Sequence, residues 1–191
     1  VLACALGRIR GERVREQGIK LSVHDMSRFW ASLPFSPTGA QKRAIDQALG
    51  DISSGAVMNR LVQGDVGSGK TLVAAALMWQ CAENGYMSAF MAPTEILAEQ
   101  HYSTLTSMLA PLGVRIGRLT VAMSAKEKRE AKSKLKAGEY DIVVGTHALF
   151  SQDVEYSNLA LVVTDEQHRF GVGQRSALIG KGQKPHVLVM S

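Results

Sequence analysis

LVQGDVGSGKTLVAAALMW, residues 61–79, decides the fold: an apolar run, three glycines within six residues, then a lysine, a threonine and a second apolar run. Each glycine costs conformational freedom on folding. Clustering Gly64, Gly67 and Gly69 therefore needs a use such as positive φ or close approach of a ligand. The spacing supplies one, because Gly64, four residues, then Gly69-Lys70-Thr71 matches G-x-x-x-x-G-K-[ST]. In that loop the backbone N–H groups of Gly64, Gly67, Ser68 and Gly69 cradle phosphates at a helix N-terminus. Lys70 reaches the β- and γ-phosphates and the Thr71 hydroxyl ligates Mg²⁺. Chance alone gives such a string in about one chain in a hundred of this length, and the flanks narrow it further. MNRLVQ before it reads as a short buried strand, and TLVAAALMWQCA after it as a helix ending near Asn84-Gly85.

The composition suits a chain that buries a real core. Its 191 residues are 46% hydrophobic and 20% charged. No apolar run approaches the ~20 residues of a membrane helix, and VLACAL at the start is too short and lacks the basic leader of a signal peptide. The first residue is not Met, so we expect a piece of a longer chain. The two cysteines, Cys4 and Cys81, lie far apart, which fits a reduced, cytoplasmic protein. A net charge of +5 mildly favours a polyanionic partner. The lysines between 126 and 136 carry much of it, yet Ser124 and Glu127 form an S-x-x-E capping box and Gly138 can close the helix, so a solvated helix face is the better account.

Residues 1–33, rich in arginine and weakly periodic, read as a linker or the tail of a preceding domain, with the main domain at 34–191. From Ser36 onward helices alternate with short apolar strands. Strands such as DIVVGT, LALVVTDE and HVLVMS are continuous Val/Leu/Ile runs, the pattern of strands buried on both faces. The expected fold is α/β, a mostly parallel sheet with helices on both faces, of the P-loop type.

LALVVTDEQH, residues 159–168, is the second informative stretch: a buried strand delivering adjacent carboxylates at its C-terminal end, where ligands of open α/β sheets sit. Asp165 and Glu166 are costly there without a cation. A nucleotide-bound Mg²⁺ would supply one, with Asp165 holding the metal through water and Glu166 orienting and deprotonating an attacking water. A plain turn cap is the alternative for an Asp-Glu pair in isolation. The five histidines show no metal-binding spacing.

GDVGSGKT, APTEILAEQH (92–101), VVGTHALF (143–150) and DEQHRFGVGQR (165–175) resemble motifs I, Ia, Ib/Ic and II of superfamily 2 helicases, in family order and spacing. The DEQH box running directly into RFGVxQR, and the phrase LVQGDVGSGKT, are most similar to the RecG family of bacterial branched-DNA helicases. Transcription-repair coupling factors are the next nearest, typically with DEEH. The resemblance covers residues 34–191 and implies a first RecA-like motor domain that binds ATP and Mg²⁺. It further implies that Gln41 reads adenine with Phe35 beside the base, although Thr38 as an N-cap explains the same segment equally well. Pro93, Thr94, Glu95, Thr146 and His147 fall on the family's DNA path, and Gln167 and His168 on the link to the neighbouring motor domain. A capping or buried histidine is the alternative for His147.

The resemblance implies as partners branched or forked DNA, a second RecA-like domain and a wedge domain of the same full-length chain, and no membrane. The family continues past VLVMS into motif III. We therefore expect residues 1–191 alone to bind nucleotide and hydrolyse it barely at all, because Arg169 and Arg175 share a domain with the phosphate loop. A P-loop kinase or GTPase is disfavoured by the lack of an NKxD-like motif, and a nucleotide-sensing module without turnover is the other alternative.

Overall fold

The computed structural model describes residues 5–8, 17–65, 67–165 and 184–191. Among these, seven strands form one sheet: β1 (Ala5–Arg8), β2 (Asn59–Gln63), β3 (Met87–Met91), β4 (Ile116–Leu119), β5 (Ile142–Gly145), β6 (Leu159–Asp165) and β7 (His186–Met190). Their order is β1-β2-β7-β6-β3-β5-β4. Every neighbouring pair runs parallel except β1 with β2, an antiparallel edge pairing from Ala5↔Gln63 to Arg8↔Arg60. That edge strand is one the sequence reading does not predict.

The parallel strands form where expected because their residues suit burial on both faces. β3, β5 and β7 are buried at every position. Successive side chains point to opposite faces, so Phe90 enters a cluster with Ile45, Leu77 and Leu105, while Ala89 and Met91 join Ala131 and Leu135. The first cluster is built by α2 (Gly39–Ser53), α3 (Lys70–Glu83) and α4 (Glu95–Leu109), and the second by α5 (Ala125–Ala137). α3 is buried almost throughout, from Leu72 to Cys81. Burial pushes the Cys81 thiol up to about 12, which makes it an inert core residue.

The expected capping box of α5 is present in both halves, Ser124 to the Glu127 N–H and Glu127 back to the Ser124 N–H, and Gly138 ends the helix at φ 71°. Three of its five lysines pair with acidic neighbours, Lys132 with Asp153, Lys134 with Glu130 and Lys136 with Glu155, while Lys128 donates to the Val121 carbonyl. The solvated-face account of this cluster agrees with that arrangement.

Residues 17–33 run across the α2/α3 face and carry α1 (Ser27–Ser32). Gln80 accepts from the His24 N–H at 2.9 Å and donates to the His24 carbonyl at 2.8 Å. One turn on, Asn84 does the same for Ser22 at 2.9 Å in both directions. Phe29 stacks on Trp79 with ring centroids 5.6 Å apart. The segment is thereby strapped to the C-terminal half of α3.

Candidate nucleotide site

Parallel strands send their C-terminal ends to one edge, so the segments after β2, β3, β5 and β6 emerge together. The phosphate loop follows β2. It turns through Gly67 at φ 81° and Gly69 at φ 78°, and Gly69 serves as N-cap of α3. These are left-handed conformations that glycine adopts without strain. Among the described residues no side chain caps α3, whereas Thr38, Thr94 and Ser124 cap α2, α4 and α5. The Lys70 ammonium, at the start of this uncapped helix, donates back to the carbonyls of Gly64 and Asp65, the latter at 3.1 Å. Ser68 is buried with its hydroxyl unpartnered among the described residues. A cation, an uncapped helix N-terminus and an orphan hydroxyl together fit a phosphate group.

Gln41 lies against this loop. Its Nε2 donates to the Ser68 carbonyl at 2.9 Å and its Oε1 accepts from the Thr38 N–H at 2.9 Å. The Thr38 hydroxyl in turn accepts from the Gln41 N–H, completing a capping box. The N-cap account of this segment is thus present in full, and the same glutamine touches the phosphate loop. Phe35 is about half exposed, at 49%.

Asp165 ends β6, and only β7 separates β6 from β2, a lateral distance of roughly 10 Å. The end of β7 bonds directly into the loop's base, where the Gly64 N–H donates to the Ser191 carbonyl at 3.1 Å. Thr71 in the first turn of α3 and Asp165 are both oxygen donors, the kind Mg²⁺ takes. Among the described residues no group of three or more His, Cys, Asp or Glu side chains could hold a metal alone. Such a donor set suits an ion completed by phosphate oxygens and water. Glu166, Gln167, His168, Arg169 and Arg175 lie outside the described residues.

His101 is the residue that sequence reasoning missed. Its Nε2 lies 2.6 Å from Asp165 Oδ2, and its ring packs on Phe90 with centroids 4.4 Å apart. A signal was available, since His101 falls on the stripe of Ala98, Leu105 and Leu109 that buries α4, and a polar residue in an apolar stripe asks for a partner.

The segments assigned to a DNA path share this edge, but their side chains differ in availability. Thr94 and His147 are exposed, whereas Thr146 is buried at 6%. The Thr94 hydroxyl accepts from the Leu97 N–H at 3.2 Å. Glu95, beside the half-buried Pro93, accepts from the Val121 N–H at 2.8 Å and ties α4 to the turn before α5.

Strand order, phosphate loop and the carboxylate two strands away define a RecA-like P-loop nucleotide-binding domain. The chain belongs to the DEAD/DEAH box helicase family, whose model matches residues 38–191. It is 50% identical over 184 residues to the ATP-dependent DNA helicase RecG of Bacillus subtilis, covering 95% of this chain and 27% of that protein. It is 46% identical over 193 residues to RecG of Thermotoga maritima, covering 100% and 25%. A solved RecG bound to a three-way DNA junction superposes with a TM-score of 0.82 at 44% identity, over 92% of this chain and 24% of that one. The chain thus spans about a quarter of the length of the curated relatives it matches.

Proposed function

We propose that the chain is the ATP-binding first motor domain of a RecG-type DNA helicase that acts on branched DNA, such as forks and Holliday junctions, in repair and recombination. The carrying observation is the uncapped start of α3 with Lys70 beside it. Support for the DNA substrate comes from the relatives, one of which is solved on a three-way junction. Residues 34–191 form the motor domain in this reading, and 1–33 the linker or tail ahead of it, its described part strapped to α3.

Gly64, Gly67, Ser68 and Gly69 receive the phosphates of ATP, and Lys70 exchanges two loop carbonyls for charged phosphate oxygens, a stronger contact. Thr71 and Asp165 hold Mg²⁺, which neutralises phosphate charge when bound. Glu166 accepts the proton of the attacking water. Gln41 keeps one N–H and one lone pair beyond its bonds to Ser68 and Thr38. That is one donor and one acceptor, the pair an adenine edge requires, with Phe35 beside the base. A DNA strand runs along the edge at Pro93, Thr94, Glu95, Thr146 and His147. The carboxylate of Glu95 shapes that edge through the Val121 turn and does not meet a phosphate.

Gln167 and His168 couple this site to a second RecA-like domain, and a wedge domain of the full-length protein grips the junction. The setting is the cytoplasm. Among the described residues no helix is long and apolar enough to cross a membrane. Calorimetric titration with ADP·Mg²⁺ tests the site. Lys70→Ala removes a charged contact worth roughly 1.5–3 kcal/mol, so affinity falls about tenfold or more, and equal affinity for wild type and variant overturns the reading.

A further inference from the structure

We infer that His101 is a positioning residue for Asp165: its Nε2–H holds one carboxylate oxygen so that the other is presented to the metal of the nucleotide site. The inference rests on the nucleotide reading above. Three observations on separate elements carry it. Asp165 closes β6 with its side chain only 15% exposed, where a carboxylate without a donor is costly. The donor comes from α4, 64 residues away in sequence, at 2.6 Å, close to the short end of the roughly 2.7–2.9 Å of an N–H hydrogen bond to a charged oxygen. The imidazole is itself fixed, because its ring rests on Phe90 of β3 at 4.4 Å and its helix is anchored by the buried Ala98 and Leu105. β3 and β6 are hydrogen-bonded neighbours with Phe90 opposite Val163, so ring and carboxylate stand on one rigid surface.

The consequence is directional. A free aspartate at a strand end samples several rotamers. With Oδ2 held by His101, the side chain has one favoured orientation, and Oδ1 has no partner among the described residues. This is the arrangement in which an outer residue tunes a metal ligand, and loss of such a partner typically lowers metal affinity 10–100-fold. A histidine that merely fills space between α4 and the sheet would instead be replaceable by an apolar side chain of similar volume.

The test uses the 191-residue chain as wild type, His101→Leu and His101→Gln. ADP binding is titrated by calorimetry in EDTA and in Mn²⁺, and bound Mn²⁺ is counted by electron paramagnetic resonance. Leucine keeps volume and removes the donor, while the glutamine amide places an N–H close to where Nε2 stands. The expected result is that His101→Leu weakens Mn²⁺ binding to the ADP complex by about 10–100-fold and leaves metal-free ADP affinity within about twofold, with His101→Gln restoring metal affinity to within about threefold of wild type. Where leucine prevents folding, His101→Asn replaces it, since its shorter amide leaves the gap to Oδ2 open. Unchanged metal affinity in the donor-less variant, or glutamine as damaging as leucine, overturns the inference alone. A wild-type chain that binds no ADP under either condition overturns the nucleotide reading and this inference with it.

Discussion

Gln41 Nε2 donates to the Ser68 carbonyl at 2.9 Å, so a residue 27 positions upstream holds the phosphate loop from behind while its Oε1 closes the cap of α2. Loop shape and helix start are therefore coupled through one buried amide. Gln41→Glu separates the two roles, because a carboxylate still accepts from Thr38 but has no hydrogen to give Ser68. It also brings negative charge toward the phosphates. ADP affinity should fall about tenfold or more, in line with a lost hydrogen bond plus repulsion. Thr38→Ala removes the cap instead, and urea denaturation should show a loss of about 0.5–2 kcal/mol with ADP binding little changed.

The two left-handed glycines of the loop should respond differently to a methyl group. Among the described residues a Cβ on Gly67 meets nothing within 4 Å, whereas one on Gly69 would clash with Gln41 Nε2. Both substitutions strain the backbone, by roughly 1–2 kcal/mol for a left-handed alanine. Only Gly69→Ala also displaces the amide that holds Ser68. Gly67→Ala should bind ADP with reduced affinity, and Gly69→Ala should show no measurable binding in the same calorimetric titration. Equal affinities for the two would mean that the Gln41 contact does not shape the loop.

How much of this was legible follows from which interactions are local. The loop, the strand before it and α3 are written in one continuous stretch, and β5 and β7 declare themselves by their runs of valine, leucine and isoleucine. The α5 capping box is legible because Ser124 and Glu127 are three residues apart. The rest depends on partners distant in sequence. β1 is four residues paired to β2 through its backbone, and ALGR offers no alternation to read. Gln80 and Asn84 look like incidental polar positions on an apolar helix until the backbone at His24 and Ser22 arrives beside them. His101 gains its meaning from Asp165 on a strand formed much later in the chain.

His186 should make stability depend on pH. It is fully buried in β7, its Nδ1 accepting from the Met58 N–H at 3.0 Å and its Nε2 donating to the Ile19 carbonyl at 2.7 Å. Burial holds its pKa below the ordinary 6.5, against smaller opposite pulls from that carbonyl and from Asp51. The unfolded chain therefore takes up a proton at a higher pH than the folded one. The stability associated with the neutral ring is present above about pH 6.5 and is lost as pH falls from there toward the folded-state value. Urea denaturation between pH 7.5 and about 5 should show this decline, and His186→Gln should flatten it while lowering stability at pH 7.5. A wild-type profile no steeper than that of the variant would exclude His186 as its source.

The strap over α3 should be separable from the nucleotide site. Gln80 is fully buried and satisfies both the N–H and the carbonyl of His24, so Gln80→Leu leaves two backbone groups without partners unless the strap lifts toward water. An unsatisfied buried group costs about 1–3 kcal/mol, enough to favour local opening over retention of the contact. The exposed Lys20 and Arg28 lie within this segment and give trypsin two sites. Cleavage that proceeds through local opening reports its free energy directly, and a change of about 1.4 kcal/mol appears as a tenfold change in rate. Gln80→Leu should therefore be cut at Lys20 and Arg28 about tenfold faster than wild type. Gln80 stands ten residues beyond Lys70 on α3, roughly 15 Å along the helix axis, so ADP affinity should stay within about twofold of wild type. Faster cleavage with intact ADP binding identifies the strap as an independently opening unit. Unchanged cleavage would mean that Phe29, stacked on Trp79, holds the segment without the amide contacts.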